Sequence, residues 1–471
     1  MCRSRNPMLA RPRHRMTPGA ALRDARRPLA VAVCGLSVLL LSCGPQFARP
    51  DGPPSQSRPA EPSAPARHAD AAVAPAYGLP LAVPEEVGMD SGLLARVDSI
   101  VEAHLIAGAA PGAALAVGRY GRLVRLQGYG TLDRRQGYPP VTDSTIYDLA
   151  SVTKAVGTTT ALMMLHDDGF ISLDDRVADH LADWRGTPAK ESVTVRHLLM
   201  HNSGLAAYGP LYETLEGREQ YRRRIAAMSL EFEPGSQTLY SDYGVILLGL
   251  IIEQVSGQTL DVFLRDRLFG PLGMRDSGFN PHDWANGSAL SVDGNGTRDL
   301  PEPGDLLTRI APTEVDTAFR RRHLRGEVHD ENAFALGGVA GHAGLFSSAR
   351  DLAVFAQLML NRGVYDGRRY INAATIDMFT RRQGEASSRA LGWDTPAATT
   401  SAGRYFGATS FGHTGFTGTS IWIDPEKRLF VVLLTNRVNP TRDNQRHIPL
   451  RRDVADAVQQ AITDLPVVPR S

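Results

Sequence analysis

Apolar residues recur with two different periods along this chain, and each period keeps to its own part of the sequence. After Asp90 and Ser91, the residues Leu93, Leu94, Val97, Ile100 and Val101 fall three and four apart, which predicts a helix capped by one of those polar residues. Ala113–Val117 and Leu123–Gln127 then flank Arg119-Tyr120-Gly121, a hairpin signal. Near the far end, Thr419–Ile423 and Leu429–Leu434 flank a second turn, Asp424-Pro425-Glu426-Lys427. The segment Leu429–Leu434 is apolar throughout, so it predicts a strand covered on both faces. A closing helix is expected over about 452–462. Between these ends, over about 156–340, the pattern is mainly helical or irregular, with helices predicted at Thr158–Asp167, Val195–His201, Tyr243–Val255 and Thr259–Leu268. Ser348-Ala-Arg-Asp351 has the form of a capping box, opening a helix that stops before Gly363. Strands near both ends and helices between them predict an α/β unit whose sheet is built from the two ends, with an inserted helical region.

The first 82 residues follow neither period. Arginines up to Arg27 precede the apolar run Leu29–Leu41, which is followed by Ser42-Cys43. A short apolar run behind positive charge is the form of a secretory signal, too short to span a bilayer comfortably. Leu40-Leu41-Ser42-Cys43 resembles a bacterial lipobox, so residues 1–42 are expected to be a lipoprotein signal peptide and Cys43 the lipidated residue. The long stretch before Arg23 points to Met16 as the start of translation. Gly44 after the cysteine, rather than aspartate, favours an outer membrane facing the periplasm. Residues 43–82 are rich in proline, alanine and serine, which predicts a flexible tether ahead of a domain at 83–465.

Charge changes its meaning once that segment is set aside. The whole chain has a formal net charge of +1, but its first 42 residues hold eight arginines and one acid. The remainder has 43 basic against 49 acidic residues, which removes support for a nucleic-acid partner. The three cysteines, Cys2, Cys34 and Cys43, all lie at or before the expected cleavage site. A thiol nucleophile or a disulfide framework is therefore excluded from the domain. No cofactor and no metal site are predicted.

The basic residues contain a second signal. Only Lys154, Lys190 and Lys427 are lysines; the rest are arginine. Lys154 follows Ser151 by three, and the apolar run Ala161–Leu165 downstream predicts a helix starting near Ser151. Residues three apart on a helix share a face. An amine beside a hydroxyl can take its proton if kept neutral, whereas a guanidinium stays protonated. One such pair arises by chance about one time in five.

Two further stretches give the pair its context. Tyr240-Ser-Asp242 introduces an apolar helix, and His413-Thr414-Gly415-Phe416 precedes the last two strands. Ser151-Val-Thr-Lys154, Tyr240-Ser-Asp242 and His413-Thr-Gly415, in this order, resemble the S-x-x-K, Y-x-N and K/H-T-G marks of the serine β-lactamase and D,D-peptidase superfamily, on its class C-like branch. The flanks "VTVRHLLMHNSGL" from Val193 and "GGVAGHAGLFSSARDLAVFAQLML" from Gly337 carry the same resemblance, which covers about residues 84–464. It implies an antiparallel sheet flanked by helices. It also implies an acyl-enzyme on Ser151, activation by Lys154 and proton transfer by Tyr240. The N–H groups of Ser151 and Phe416 would form an oxyanion hole, and Asp242, His413, Thr414 and Gly415 would meet substrate.

Two positions depart from the commoner pattern. Asp242 stands where asparagine is usual; a carboxylate only accepts hydrogen bonds, and an ionised one favours a protonated Lys154. His413 stands where β-lactamases have lysine, and implies a weaker, pH-dependent anchor for a substrate carboxylate. The function expected is D,D-carboxypeptidase-like cleavage of D-amino-acid peptides or related amides, with slow β-lactam hydrolysis at most. The alternatives are a carboxylesterase on short acyl esters and a non-catalytic penicillin- or muropeptide-binding protein. Elsewhere, Glu327–Asn332 predicts a hydrogen-bonded loop rather than a metal site, and His342 a structural loop residue. Asp293–Thr297 predicts a turn, and His201–Gly204 a helix end near the cleft.

Overall fold

The computed structural model describes residues 78–284, 303–385, 387–398 and 400–470. Residues 1–42, Cys43, most of the tether and Asp293–Thr297 lie outside the described residues.

The N-terminal hairpin is β1 (Gly112–Arg119) and β2 (Arg122–Gly130); the C-terminal strands are β3 (Phe411–Thr414), β4 (Ser420–Asp424) and β5 (Leu429–Thr435). They form one five-stranded antiparallel sheet in the order β3-β4-β5-β1-β2. The two chain ends meet at its middle, where Ala113 lies opposite Thr435 and Arg119 opposite Leu429. The hairpin turn uses Tyr120 and Gly121 at φ +50° and +82°, the doubly left-handed pair that suits the twist of a two-residue connection.

β5 is buried at every position because both of its faces are covered. Leu429, Val431 and Leu433 point toward α1 (Ser91–Ile106) and α5 (His447–Gln460), joining Val97, Val101, Leu450 and Val454. Phe430, Val432 and Leu434 point the other way, into the larger core under the helical region. The apolar run is thus two period-two stripes, each with its own core.

Element boundaries follow local chemistry. α1 is capped by Asp90, whose carboxylate accepts from Leu93 N–H at 2.7 Å. α5 begins at His447, before the expected start, since Pro449 falls in its first turn, where a missing N–H costs no helical bond. The expected helix at Thr259–Leu268 is Leu260–Leu264 continued by a π-turn over Arg265–Phe269. Ser348 caps α4 (Ala349–Leu360) by accepting from Asp351 N–H, and the Asp351 carboxylate accepts from Asp276 N–H at 2.7 Å and Ser277 Oγ at 2.8 Å.

The site is positioned by a small three-stranded sheet. In it, Leu345–Ser348 lies between Ile146–Asp148 and Gly278–Phe279. Ile146–Asp148 delivers the chain to Ser151 at the boundary between the sheet and the helical region.

Candidate active site

Ser151 emerges from a strained turn. The residue before it, Ala150, has φ +47°, a conformation that costs a non-glycine residue roughly 1–2 kcal/mol. The Asp148 carboxylate holds it, accepting from Ala150 N–H at 2.8 Å and from His329 N–H at 2.6 Å. Burial pushes the Asp148 carboxyl pKa up despite these two donors. After Ser151 the chain turns helical, first as a π-turn over Lys154–Thr159 and then as α2 (Thr160–Asp167). Thr158 Oγ1 anchors the wide turn by donating to Gly341 O at 2.6 Å.

Lys154 is 2% exposed, and its ammonium meets three acceptors. Nζ lies 2.9 Å from Ser151 Oγ, 2.9 Å from His342 O and 2.8 Å from Asp242 Oδ1. The Asp242 contact is a close ion pair. An ammonium has three N–H bonds, and three acceptors surround this one. Burial pushes the Lys154 pKa down, but the negative charge of Asp242, with Tyr240, outweighs it and holds the group above the ordinary lysine range. Lys154 therefore rests as a cation.

Asp242 reaches that position because it opens α3 (Asp242–Ser256) without having to cap it. Ser241 does the capping: its Oγ accepts from Gly244 N–H at 3.2 Å and donates to Ala206 O at 2.6 Å. The residue before the cap, Tyr240, is packed on three sides. The His201 ring lies 4.4 Å from its ring, the Lys154 ammonium 5.0 Å and the Arg389 guanidinium 4.9 Å. His201, expected at a helix end near the cleft, follows the short helix Val195–Leu199 and turns left-handed at φ +55°. Its Nδ1 accepts from Ser241 N–H at 3.1 Å. Its role is to fix Tyr240 and the start of α3.

His413 also reaches the site, 6.2 Å from the Tyr240 ring, but not as a cation. Burial, together with Arg389 and Lys154, drives its pKa well below the ordinary histidine value. Its Nδ1–H donates to Thr414 O at 2.9 Å, leaving Nε2 as a buried atom without a hydrogen-bond partner. Of the His413 ring expected to anchor a carboxylate, Nδ1–H is thus spent on Thr414 O and Nε2 is the nitrogen left open. Among the positive charges acting on the ring is Arg389, which lies in no motif and could not be found from spacing.

The turn Gly415–Thr419 is pinned from both sides. Toward Ser151, Thr417 Oγ1 donates to Asp148 O at 2.7 Å and Thr419 Oγ1 to Leu149 O at 2.8 Å. Gly415 lies so close to that segment that a Cβ would sit 2.3 Å from Leu149 O and 2.2 Å from Thr419 Oγ1. On the other side, Arg451 Nη2 donates to Gly415 O at 2.6 Å and Thr419 O at 2.8 Å, and Arg437 Nε to Phe416 O at 2.6 Å. The Phe416 ring lies between the His329 ring at 5.7 Å and the Arg437 guanidinium at 4.2 Å. Among the described residues, the N–H groups of Ser151 and Phe416 are given to no backbone or side-chain acceptor. Thr414 ends β3 opposite Ser420.

Glu327–Asn332 is a hydrogen-bonded loop leading into the short helix Glu331–Ala335. His329 Nε2 pairs with Glu314 at 3.0 Å, Asp330 caps the helix and pairs with His342 Nε2 at 2.8 Å, and Glu331 pairs with Arg442 at 2.6 Å. His342 is held as a loop residue, and its carbonyl also accepts from Lys154, which no side-chain pattern could announce.

The sequence profile of the Beta-lactamase family matches residues 97–456. The chain belongs to the beta-lactamase family. Relatives of this beta-lactamase-family hydrolase include a provisionally named D-alanyl-D-alanine carboxypeptidase from Escherichia coli (strain K12). That protein is 36% identical over 65% of this chain and 72% of the relative. An N-acetylmuramyl-L-alanine amidase from Bacillus subtilis (strain 168) is 31% identical over 73% of this chain and 81% of its own length. Among solved structures, a penicillin-binding protein homologue from Caulobacter crescentus superposes with a TM-score of 0.60 at 23% identity, covering 79% of this chain and 99% of the other. A class C β-lactamase does so with a TM-score of 0.59 at 18% identity, covering 78% and 98%. At these identities the two structures establish the fold: the β-lactamase/transpeptidase-like α/β architecture expected.

Proposed function

We propose that this protein is a serine hydrolase that forms an acyl-enzyme on Ser151 and cleaves D-amino-acid peptides bearing a free carboxylate. The observation that carries this reading is Ser151 Oγ at 2.9 Å from Lys154 Nζ, beside two N–H groups with no internal acceptor. Hydrogen-bond donors held ready for an oxyanion are typically worth about 10²–10³ in rate each. In this reading Ser151 attacks the carbonyl carbon, the N–H groups of Ser151 and Phe416 receive the oxyanion, and Tyr240 delivers a proton to the leaving amine.

Arg389 supports a carboxylate-bearing substrate. Its guanidinium lies over Tyr240 and acts electrostatically on both His201 and His413, so it brings an anchoring charge to the side of the site where His413 is neutral. The names of the two relatives, a carboxypeptidase and an amidase, favour amide over ester bonds. One observation favours the ester reading: Asp242 is engaged with Lys154 and offers no amide donor for a substrate carbonyl. The lipobox-like segment before Cys43 supports placement at a membrane surface in the cell envelope.

The test is a panel of D-Ala-D-Ala peptides, p-nitrophenyl esters and cephalosporins, run on the wild type and on Ser151→Ala. Peptide cleavage lost in the variant is expected. Ester turnover alone would assign the esterase reading, and no Ser151-dependent turnover or labelling would assign the binding reading. Rapid cephalosporin turnover would contradict the slow β-lactam hydrolysis expected.

A further inference from the structure

Lys154 presents a difficulty that the geometry resolves. A nitrogen carrying three protons has no lone pair, so it cannot take the Ser151 proton unless it gives one away. We propose that Asp242 is the terminal proton acceptor of acylation, receiving through Lys154 the proton that Ser151 releases. This rests on the acyl-enzyme reading above and adds a residue to it.

Three observations carry the assignment. First, Asp242 Oδ1 lies 2.8 Å from the same Nζ that lies 2.9 Å from Ser151 Oγ, so one nitrogen joins donor and acceptor. Second, Oδ1 is buried and, among the described residues, has no hydrogen-bond donor on it besides the Lys154 ammonium of that ion pair, so a lone pair is open to receive the proton from Nζ. Third, Ser241 already caps α3, so Asp242 is not needed to satisfy the helix end. Asparagine at this position could hold the lysine but could not accept its proton.

The step balances. Ser151 Oγ–H breaks as Oγ bonds to the carbonyl carbon, Nζ takes that proton, and Nζ passes another to Asp242 Oδ1. Lys154 ends as the ammonium it began as, Asp242 as the neutral acid, and the negative charge lies on the substrate oxygen. When the tetrahedral intermediate collapses, the proton returns through Lys154 and Tyr240 to the leaving group.

Of the charged and titratable groups around the pair, Tyr240 also acts on Lys154 and is the rival acceptor; the others are neutral or committed elsewhere. Tyr240 precedes α3, and His201 beside it is neutral and accepts from Ser241 N–H. From β3, His413 is neutral, and Arg389 adjoins it. From the loop before α4, His342 is paired with Asp330, whose carboxylate is also committed to Ala333 N–H. Tyr208 and Tyr243 face Asp242, and burial pushes both hydroxyl pKa values up.

The test is the pH dependence of pre-steady-state acylation by p-nitrophenyl acetate in wild type, Asp242→Asn and Asp242→Glu, with thermal melts reporting folding. The wild type is expected to lose rate on acidification, as the terminal acceptor can no longer take a proton. Asp242→Asn should fall at least tenfold at about pH 6 and recover as pH rises, because burial, no longer opposed by the Asp242 charge, lets Lys154 deprotonate below its ordinary range and act as base itself; Asp242→Glu should restore the wild-type profile. An Asn variant with wild-type rate and profile would overturn the proposal, as would a loss equal at every pH. Should that variant not fold, a wild type whose acylation rate does not fall on acidification overturns it. A wild type that never acylates overturns the hydrolase reading itself, which separates the two failures.

Discussion

Lys154 and Arg389 divide the positive charge of the site between two tasks. Lys154 is a point charge enclosed by three acceptors, a place a planar guanidinium cannot fill and a role it cannot take. Lys154→Arg is therefore expected to lower Ser151 acylation by about 10²–10⁴, the range of a lost acid–base group, as read by burst kinetics. Arg389 lies half-buried over Tyr240 and is the residue proposed to hold a substrate carboxylate. A hydrogen bond to a charged group is worth about 1.5–3 kcal/mol, so Arg389→Ala should raise KM for carboxylate-terminated peptides about ten- to hundredfold. Neutral esters should change far less; an equal loss on both would deny Arg389 the anchoring role. Ser151, Lys154, Tyr240 and His413 were legible because their spacing and order are written in the chain. The neutrality of His413 and the presence of Arg389 were not, since both depend on burial and on residues brought together only by folding.

At the scale of elements, the sheet was read closely and the helical region more loosely. Hairpins announce themselves through local turns and alternation, so β1, β2, β4 and β5 fall where the pattern placed them. The π-turns at Lys154–Thr159 and Arg265–Phe269 have no periodic signature, because they arise from packing such as Thr158 on Gly341. The turn Gly415–Thr419 carries Phe416 N–H, on which the proposed oxyanion site depends. Gly415→Ala would drive a methyl against Leu149 O and Thr419 Oγ1 and displace Phe416 N–H. Its expected effect is a kcat loss of about 10²–10³, the value of one oxyanion donor. A variant with unchanged kcat would show that the turn tolerates movement. In β5, Leu434 is fully buried under the helical region, and Leu434→Ala should cost about 2–5 kcal/mol in a denaturant melt.

Over the whole molecule, buried ionisable groups set the pH range of stability. Burial raises the carboxyl pKa of Glu314, but hydrogen bonds from His329 and Arg442 bring it down to about 2. Asp133, also opposed by burial, is brought to about 2 by Arg135 and Asn439. A depressed carboxylate stabilises the fold fully above its unfolded pKa of about 4, and that contribution is lost as pH falls toward 2. His201 and His413 act earlier: both are held neutral, so the unfolded chain gains protons first below about pH 6.5. Thermal stability should therefore decline in two stages, below about pH 6.5 and again below about pH 4; a melting temperature flat from pH 7 to 3 would contradict this. At the N-terminal end, Cys43→Ala is expected to move the protein from the membrane fraction to the soluble fraction, measured by fractionation of cells producing the full chain.

The central claim, an acyl-enzyme on Ser151, is tested most directly by intact-mass spectrometry after brief exposure to an activated ester or a penicillin. A single acyl adduct on the wild type, mapped to the Ser151 peptide and absent from Ser151→Ala, is the predicted result. An unmodified wild type with both reagents, or an equal adduct on the alanine variant, would contradict it.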